Sequence, residues 1–155
     1  MVDIEKDQLN ITVDKNGFGR RHLPDERRAI IHKFSIAGHE GYFIVGLYED
    51  GAPGELFVVF SKEGSTMSGF SDVWSIAISG NLQAGVSVKS FVNKYMNIRF
   101  DPAGYTKNPK IPEATSIPDY IARWFALKFL SPEELDDLNL AKNEDGVLII
   151  KRTTL

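Results

Sequence analysis

The stretch Glu63-Gly-Ser-Thr-Met-Ser-Gly-Phe-Ser-Asp-Val-Trp-Ser-Ile-Ala-Ile-Ser-Gly-Asn-Leu-Gln-Ala-Gly85 decides how the chain is read. It follows three apolar runs, opens on glycine and hydroxyl residues, and settles into helical spacing, which marks a strand-to-turn-to-helix junction. Phe70, Val73, Trp74, Ala77, Ile78 and Leu82 recur at steps of three and four and are expected on the inward face, led by Phe70, Trp74 and Ile78. Ser68, Ser71, Asp72, Ser75 and Ser79 fall largely on the other side. A helix that begins with small hydroxyl residues leaves backbone N–H groups free at its first turn, and with the helix dipole these make a candidate anion site. The alternative is that Ser65 or Thr66 caps the helix and nothing binds there. The lysine and spacing of a P-loop are missing.

A chain of 155 residues is the size of one domain and can bury roughly two thirds of its unfolded surface. Hydrophobic content of 43% and charged content of 25% place it among ordinary globular proteins rather than disordered ones. No apolar run approaches the ~18 residues of a membrane span, and Met1-Val-Asp-Ile-Glu-Lys6 has no signal-peptide pattern, so a cytoplasmic protein without a membrane partner is expected. A formal charge of −3 gives no global attraction to nucleic acid, which is not expected as a partner. The absence of cysteine removes thiolate nucleophiles, thiyl radicals, disulfides and all-cysteine metal sites together. His22, His32 and His39 are not spaced as a helical metal motif, so neither a metal nor a cofactor is expected.

Residues 1–19 read as a loosely held arm with a short strand over 9–13. Arg20, Arg21, Arg27 and Arg28 then gather around Pro24. They form either a solvated turn, pairing with Asp25, Glu26 and the acidic tail, or a phosphate or partner contact suited to the planar guanidinium fork. Residues 29–36 alternate as a strand with one buried face, with His32 in the apolar row as a core histidine. A glycine-bounded turn leads to a second strand over 42–49, and the two make a hairpin. After a turn dense in Asp, Gly and Pro, residues 55–60 are apolar at nearly every position, which predicts a strand central in its sheet or covered on both faces.

The organising helix should end near Gly85. A second one over 88–96 turns Val88, Phe91, Val92 and Tyr95 inward and has the first helix as its companion. The irregular segment 97–115, with three prolines, is long enough to be functional or ordered by a partner, and its chemical face would be Arg99, Asp101, Tyr105 and Lys107. Ser116-Ile-Pro-Asp119 carries helix start signals. Ile117, Tyr120, Ile121, Trp124, Leu127 and Lys128 map the inner stripe and its boundary, with Asp119 and Arg123 as an i,i+4 pair outside. Ser131-Pro-Glu-Glu134 opens a further short helix, and 147–150 closes as a strand. The expected fold is α+β, an antiparallel three- to four-stranded sheet with helices packed on one face.

Several stretches in one order carry a resemblance. Arg21-His-Leu-Pro-Asp-Glu-Arg27, His32-Lys-Phe-Ser-Ile-Ala-Gly-His-Glu-Gly-Tyr42, Val45-Gly-Leu-Tyr-Glu-Asp-Gly-Ala-Pro-Gly-Glu-Leu-Phe57, Lys62-Glu-Gly-Ser-Thr-Met-Ser-Gly69 and Asp119-Tyr-Ile-Ala-Arg-Trp-Phe-Ala-Leu-Lys-Phe-Leu130 resemble the C-terminal region of adenosylcobalamin-dependent ribonucleotide reductases. The likeness covers the module called TSCPD after its motif, which stands here as Thr115-Ser-Ile-Pro-Asp119. Many members carry cysteine where this chain has Ile117, and some carry one near Phe100. The reductase's catalytic barrel and the active-site cysteines it needs have no counterpart in this sequence.

The resemblance therefore implies a non-catalytic accessory module, docking on or assisting the catalytic subunit of a ribonucleotide reductase in the deoxyribonucleotide synthesis that DNA replication needs. Its expected organisation is an arm over 1–19, a TSCPD-like domain over 20–130 and an acidic helix with a short strand over 131–155. The alternative is a stand-alone nucleotide or phosphate binder, using Gly64, Ser65, Thr66 and Ser68 with Arg20, Arg21 or Arg99. An independent hydrolase has no nucleophile and base at recognisable spacing, and no catalytic residue is expected. Homo-oligomerisation stays open.

Overall fold

Alternation of apolar and polar residues across 29–60 produces three strands, β3 (Ala29–Ile36), β4 (His39–Leu47) and β5 (Pro53–Phe60), which form one sheet in the order β3-β4-β5. They are preceded by the paired β1 (Ile11–Val13) and β2 (Gly19–Arg21) and followed by α1 (Ser65–Gln83) and α2 (Val88–Tyr95). Then come β6 (Gly104–Tyr105), β7 (Glu113–Ala114), α3 (Ile117–Phe129), α4 (Pro132–Asp137), β8 (Leu140–Lys142) and β9 (Leu148–Ile150). This computed structural model describes residues 11–151, so the first ten residues of the expected 1–19 arm and the start of its 9–13 strand, together with the end of the C-terminal segment, lie outside the described residues, whereas Ile11–Val13 is a strand paired with β2. The architecture is α+β with antiparallel sheets, and the three-strand meander is the largest of them.

The chain divides into two compact units that do not follow its order. Among the described residues one takes 11–32 with Tyr42–Val86, the other Lys33–Gly41 with 87–151. The β3–β4 hairpin contributes its base to the first and its tip to the second. That hairpin turns earlier than the glycines at 38 and 41 imply, through Ala37 and Gly38 alone, both at positive φ (49° and 84°). A two-residue hairpin loop of the primed type requires this, because only it matches the twist of the strands.

In the first unit the two faces of the sheet differ sharply. The rings of His32 and Phe43 meet at 4.9 Å on the inner face, where Phe43, Val45, Leu56 and Val58 are buried. Ile31, Tyr42, Phe57 and Val59 alternate onto the outer face and are exposed. The expectation that the third strand is central is therefore corrected: β5 is an edge strand, and only one of its faces is covered.

The reason β5 tolerates an edge lies in α1. Four helical residues advance about 6 Å and two strand residues about 6.7 Å, so a polar stripe at every fourth helix position can serve every second residue of a strand. Ser79 Oγ accepts from the Leu56 N–H at 2.9 Å and donates to the Leu56 carbonyl at 3.2 Å, and Gln83 Nε2 donates to the Gly54 carbonyl at 3.0 Å. Ser75, one turn further, is buried with its Oγ unpartnered among the described residues. This overturns the face assigned from apolar spacing. The buried residues of α1 are Ser75, Ile78, Leu82 and Gln83, while Phe70, Val73 and Ala77 face solvent. An edge strand has backbone donors and acceptors to satisfy, and serine and glutamine satisfy them where phenylalanine cannot.

The helix ends as expected. Gly85 sits at φ +96°, and Gly85 N–H to Leu82 with Val86 N–H to Asn81 makes a Schellman closure.

The second unit is built on α3. Its Tyr120, Ile121, Trp124 and Phe125 are buried, and Phe125 meets Phe91 of α2 at 4.8 Å, so α3 rather than α1 is the packing partner of α2. The hairpin tip joins this core through Phe34, whose ring lies 6.0 Å from that of Tyr120. Segment 97–115 is less irregular than its prolines imply, since Gly104–Tyr105 and Glu113–Ala114 pair antiparallel and the Ala37 N–H donates to the Tyr105 carbonyl at 2.9 Å. The helix opened by Ser131 has a complete capping box with Glu134. The closing strand pairs with β8, which the sequence reading did not contain.

The edge closure makes a paired stability prediction. Ser79→Ala leaves the buried N–H and C=O of Leu56 unsatisfied and should lower unfolding free energy by about 2–3 kcal/mol in urea denaturation. Ser75→Ala removes a hydroxyl that has no partner and should change stability by less than about 0.5 kcal/mol or raise it.

Candidate functional site

The arginine-rich turn is held by partners distant in sequence. Arg21 lies 3.8 Å over the ring of Tyr48, donates to Asp50 at 3.0 Å, and its carbonyl accepts from the Tyr48 hydroxyl at 2.9 Å. Arg27 grips Glu55 in bidentate fashion, at 2.5 and 2.8 Å, and donates to the Pro24 carbonyl. Arg20 donates to Gln83 at 2.8 Å. The pairing expected with Asp25 and Glu26 is thus replaced by Asp50, Glu55 and Gln83, which the fold brings in across 28 to 63 residues. Gly46 makes room for the Glu55 side chain, since a Cβ there would stand 2.6 Å from Glu55 Cγ. Beside this turn lies a cavity of about 740 Å³ lined by residues of both signs, among them Asp25, Glu26, Arg28 and Glu49.

The electrostatics follow from these contacts. The Ala52 backbone N–H, with Arg21, holds the Asp50 carboxyl below its ordinary value against the opposing effect of burial. Burial pushes the Tyr48 phenol up, opposed by Arg21 and Arg20, and burial likewise raises Tyr120, opposed by the hydrogen bond from Asn108.

The anion candidate is not assembled as one cradle with the N-terminal arginines. Gly64 is the N-cap of α1 and no side chain caps it, so neither Ser65 nor Thr66 takes the capping role. Both are exposed, and the Ser68 N–H already donates to the Gly64 carbonyl at 3.1 Å. Arg20 is bound to Gln83, eighteen helix residues or about 27 Å beyond Ser65, and Arg21 is spent on Tyr48 and Asp50 beside it. Arg99 is exposed in the other unit. Of the remaining residues named for the 97–115 segment, Asp101 and Tyr105 are exposed and Lys107 pairs with Glu40 at 3.1 Å.

The Thr115–Asp119 motif is held by several hydrogen bonds within the second unit. Ser116 caps α3 by accepting from the Asp119 N–H at 3.0 Å. The Asp119 carboxylate accepts from the Asn97 N–H at 2.6 Å, the Thr115 N–H at 2.9 Å and Arg123 Nε at 2.9 and 3.1 Å. Arg123 also donates to the Asn97 side chain at 2.9 Å, and Asn97 holds a left-handed φ of 69°. The pair expected outside is therefore inside: Asp119 is 0% exposed. Its spacing announced an ion pair, but its burial depends on the Asn97 turn folding over it, a contact across 22 residues that periodicity does not carry.

With both carboxylate oxygens taken by protein donors, Asp119 acts as a bolt between a turn and a helix start. Ile117, at the position where the resemblance places cysteine, is buried, and the Phe100 N–H donates to the Thr115 carbonyl at 3.1 Å. The two family cysteine positions thus lie on neighbouring segments. Among the described residues no three His, Asp or Glu side chains form a metal-binding group, and no helix is long and apolar enough to cross a membrane.

Two outcomes follow from this geometry. Asp119→Ala strands the Arg123 charge and the Asn97 and Thr115 amides, and should cost about 3–5 kcal/mol by chemical denaturation. A double-mutant cycle with Arg123→Ala should show strong coupling between the two. Tyr48 and Tyr120 both titrate above the ordinary phenol value of 10.0 in the folded chain. Their contribution to stability is therefore complete below pH 10.0 and is lost as pH rises through the folded values. Tyrosinate absorbance should show two late-titrating groups, one removed by each of Tyr48→Phe and Tyr120→Phe.

The TSCPD domain model matches residues 8–128. A vitamin B12-dependent ribonucleotide reductase of Rhodopirellula baltica is 52% identical over 112 residues, 72% of this chain and 11% of its own. One of Streptantibioticus cattleyicolor is 43% identical over 126 residues, 81% of this chain and 21% of its own, and one of Bradyrhizobium diazoefficiens is 38% identical over 117 residues, 75% and 9%. The chain thus spans between about a tenth and a fifth of these curated relatives. No solved structure matches it. With a family match running from before β1 to the last turn of α3, and with the motif's aspartate bolted in place, this chain belongs to the TSCPD domain family.

Proposed function

We propose that this chain is a non-catalytic accessory module that acts with the catalytic region of a vitamin B12-dependent ribonucleotide reductase. One observation carries the reading: proteins named as that reductase align with most of this chain but with only a small segment of themselves. A shared segment of this size supports reading the chain as a module. The sequence adds that no thiol is present to carry a radical or deliver reducing equivalents. The chemistry of the described site also suits a structural role. Arg20, Arg21 and Arg27 are held by Gln83, Asp50 and Glu55 within the first unit and Arg123 by Asp119 within the second, and among the described residues none of these groups pairs an activated nucleophile with a base. The module would dock on the reductase's catalytic subunit in the cytoplasm and support deoxyribonucleotide synthesis there.

Affinity capture of the tagged chain from its native cells, after brief cross-linking, should recover a reductase catalytic polypeptide. Repeated capture without one would overturn the reading. In a reconstituted assay with adenosylcobalamin and a reductant, the chain alone should form no deoxynucleotide, and adding it to the catalytic polypeptide should change turnover several-fold. Turnover by the chain alone would contradict the non-catalytic assignment.

A further inference from the structure

We propose that α1 is a self-association surface, through which two copies of this chain pair antiparallel about a twofold axis. A helix that faces water normally carries a charged outer stripe, yet α1 has one charged residue, Asp72, in nineteen. Its outer side presents Phe70 at 73% exposure, Val73 at 68% and Ile76 at 73%. Ile76 also lines a groove with Phe57 of β5, which is 48% exposed, so the apolar surface continues from the helix onto the strand.

Glycine placement is an independent observation. Gly69 and Gly80 lie on the same outer side, and a Cβ at either would meet nothing within 4 Å. Among the described residues no contact requires glycine there, although glycine within a helix is destabilising relative to alanine. The close approach of a second helix does require it.

The order of side-chain sizes selects the occupant. An antiparallel copy related by an axis level with residue 75 sets Phe70 against Gly80 of its mate and Val73 against Ala77. Phe70 and Val73 then each meet a small residue. An isologous interface demands this self-complementarity, and a foreign partner imposes no such condition. The extent also fits. At full areas of roughly 150–200 Å² per side chain, Phe70, Val73, Ile76 and Phe57 expose on the order of 450 Å² of apolar surface. A standard interface buries about 800 Å² per partner, of which about 60% is apolar.

Sedimentation equilibrium of the full chain from micromolar to millimolar concentration should show a monomer–dimer equilibrium. Ala77→Glu and Gly80→Leu should each raise the dissociation constant about a hundredfold without lowering the far-ultraviolet dichroism or melting temperature of the monomer, because both positions face open space and Gly80→Leu also gains helix propensity. The chain has no cysteine, so a nitroxide on Thr66→Cys reports the geometry cleanly. The two labels should lie about 27 Å apart along the helix direction in the antiparallel pair and about 10 Å apart in a parallel one.

A monomer at every concentration, a dimer indifferent to Ala77→Glu, or a short label distance would each overturn the proposal. A monomeric chain whose Ala77→Glu variant loses capture of a reductase polypeptide would assign the face to that enzyme, overturning self-pairing while leaving the accessory-module reading intact. A helix-dependent dimer that captures no reductase would do the reverse.

Discussion

The outer edge of β5 is the constraint on which the first unit depends. A strand at the end of a sheet exposes a row of unpaired backbone groups, and such a row must be covered, charged or otherwise blunted to prevent association with other strands. Here it is covered by side chains from one helix, Ser79 on both groups of Leu56 and Gln83 on the carbonyl of Gly54. That requirement fixes the rotation of α1 about its axis. Once the serine and glutamine stripe faces the strand, Ile78 and Leu82 follow into the core and Phe70 and Val73 are turned to solvent. The same Gln83 also receives Arg20, so the edge closure reaches back to the strand pair near the N-terminus.

A second polar anchor works the same way in the other unit. Asp119 is wholly buried, and an isolated carboxylate there would be costly. It is tolerated because two backbone amides and one guanidinium meet its oxygens, and those donors come from the helix start, the Asn97 turn and the next helical turn. The motif that names the family is thus a set of hydrogen bonds that locks a loop onto a helix. Arg27 with Glu55 in the first unit has the same character, with Gly46 clearing the space it needs.

Much of the local structure was legible. The bounds of β3, the caps of α3 and α4, the inward residues Phe91 and Val92 of α2 and the glycine closure of α1 follow from alternation, capping chemistry and positive φ, all properties of neighbouring residues. Three failures share one cause. Apolar spacing assigned the face of α1, a run of apolar residues assigned β5 to the centre, and charge proximity paired the arginines with Asp25 and Glu26. Each time the winning interaction came from a residue more than twenty positions away.

For the candidate site the division is similar. The family resemblance located the motif, but whether its aspartate is a solvent-facing partner or a buried bolt depended on the Asn97 turn. The anion cradle expected at the start of α1 was drawn from residues close in sequence or similar in charge, and the fold sends Arg20 to the far end of that helix. The sequence by itself determined the helices, the strands of the meander, the caps of α3 and α4 and the absence of thiol chemistry, because these depend on residue type and short-range backbone geometry. Only the tertiary structure decided which face of each element is buried, because buried backbone and charged groups must find partners, and those partners are distributed along the whole chain.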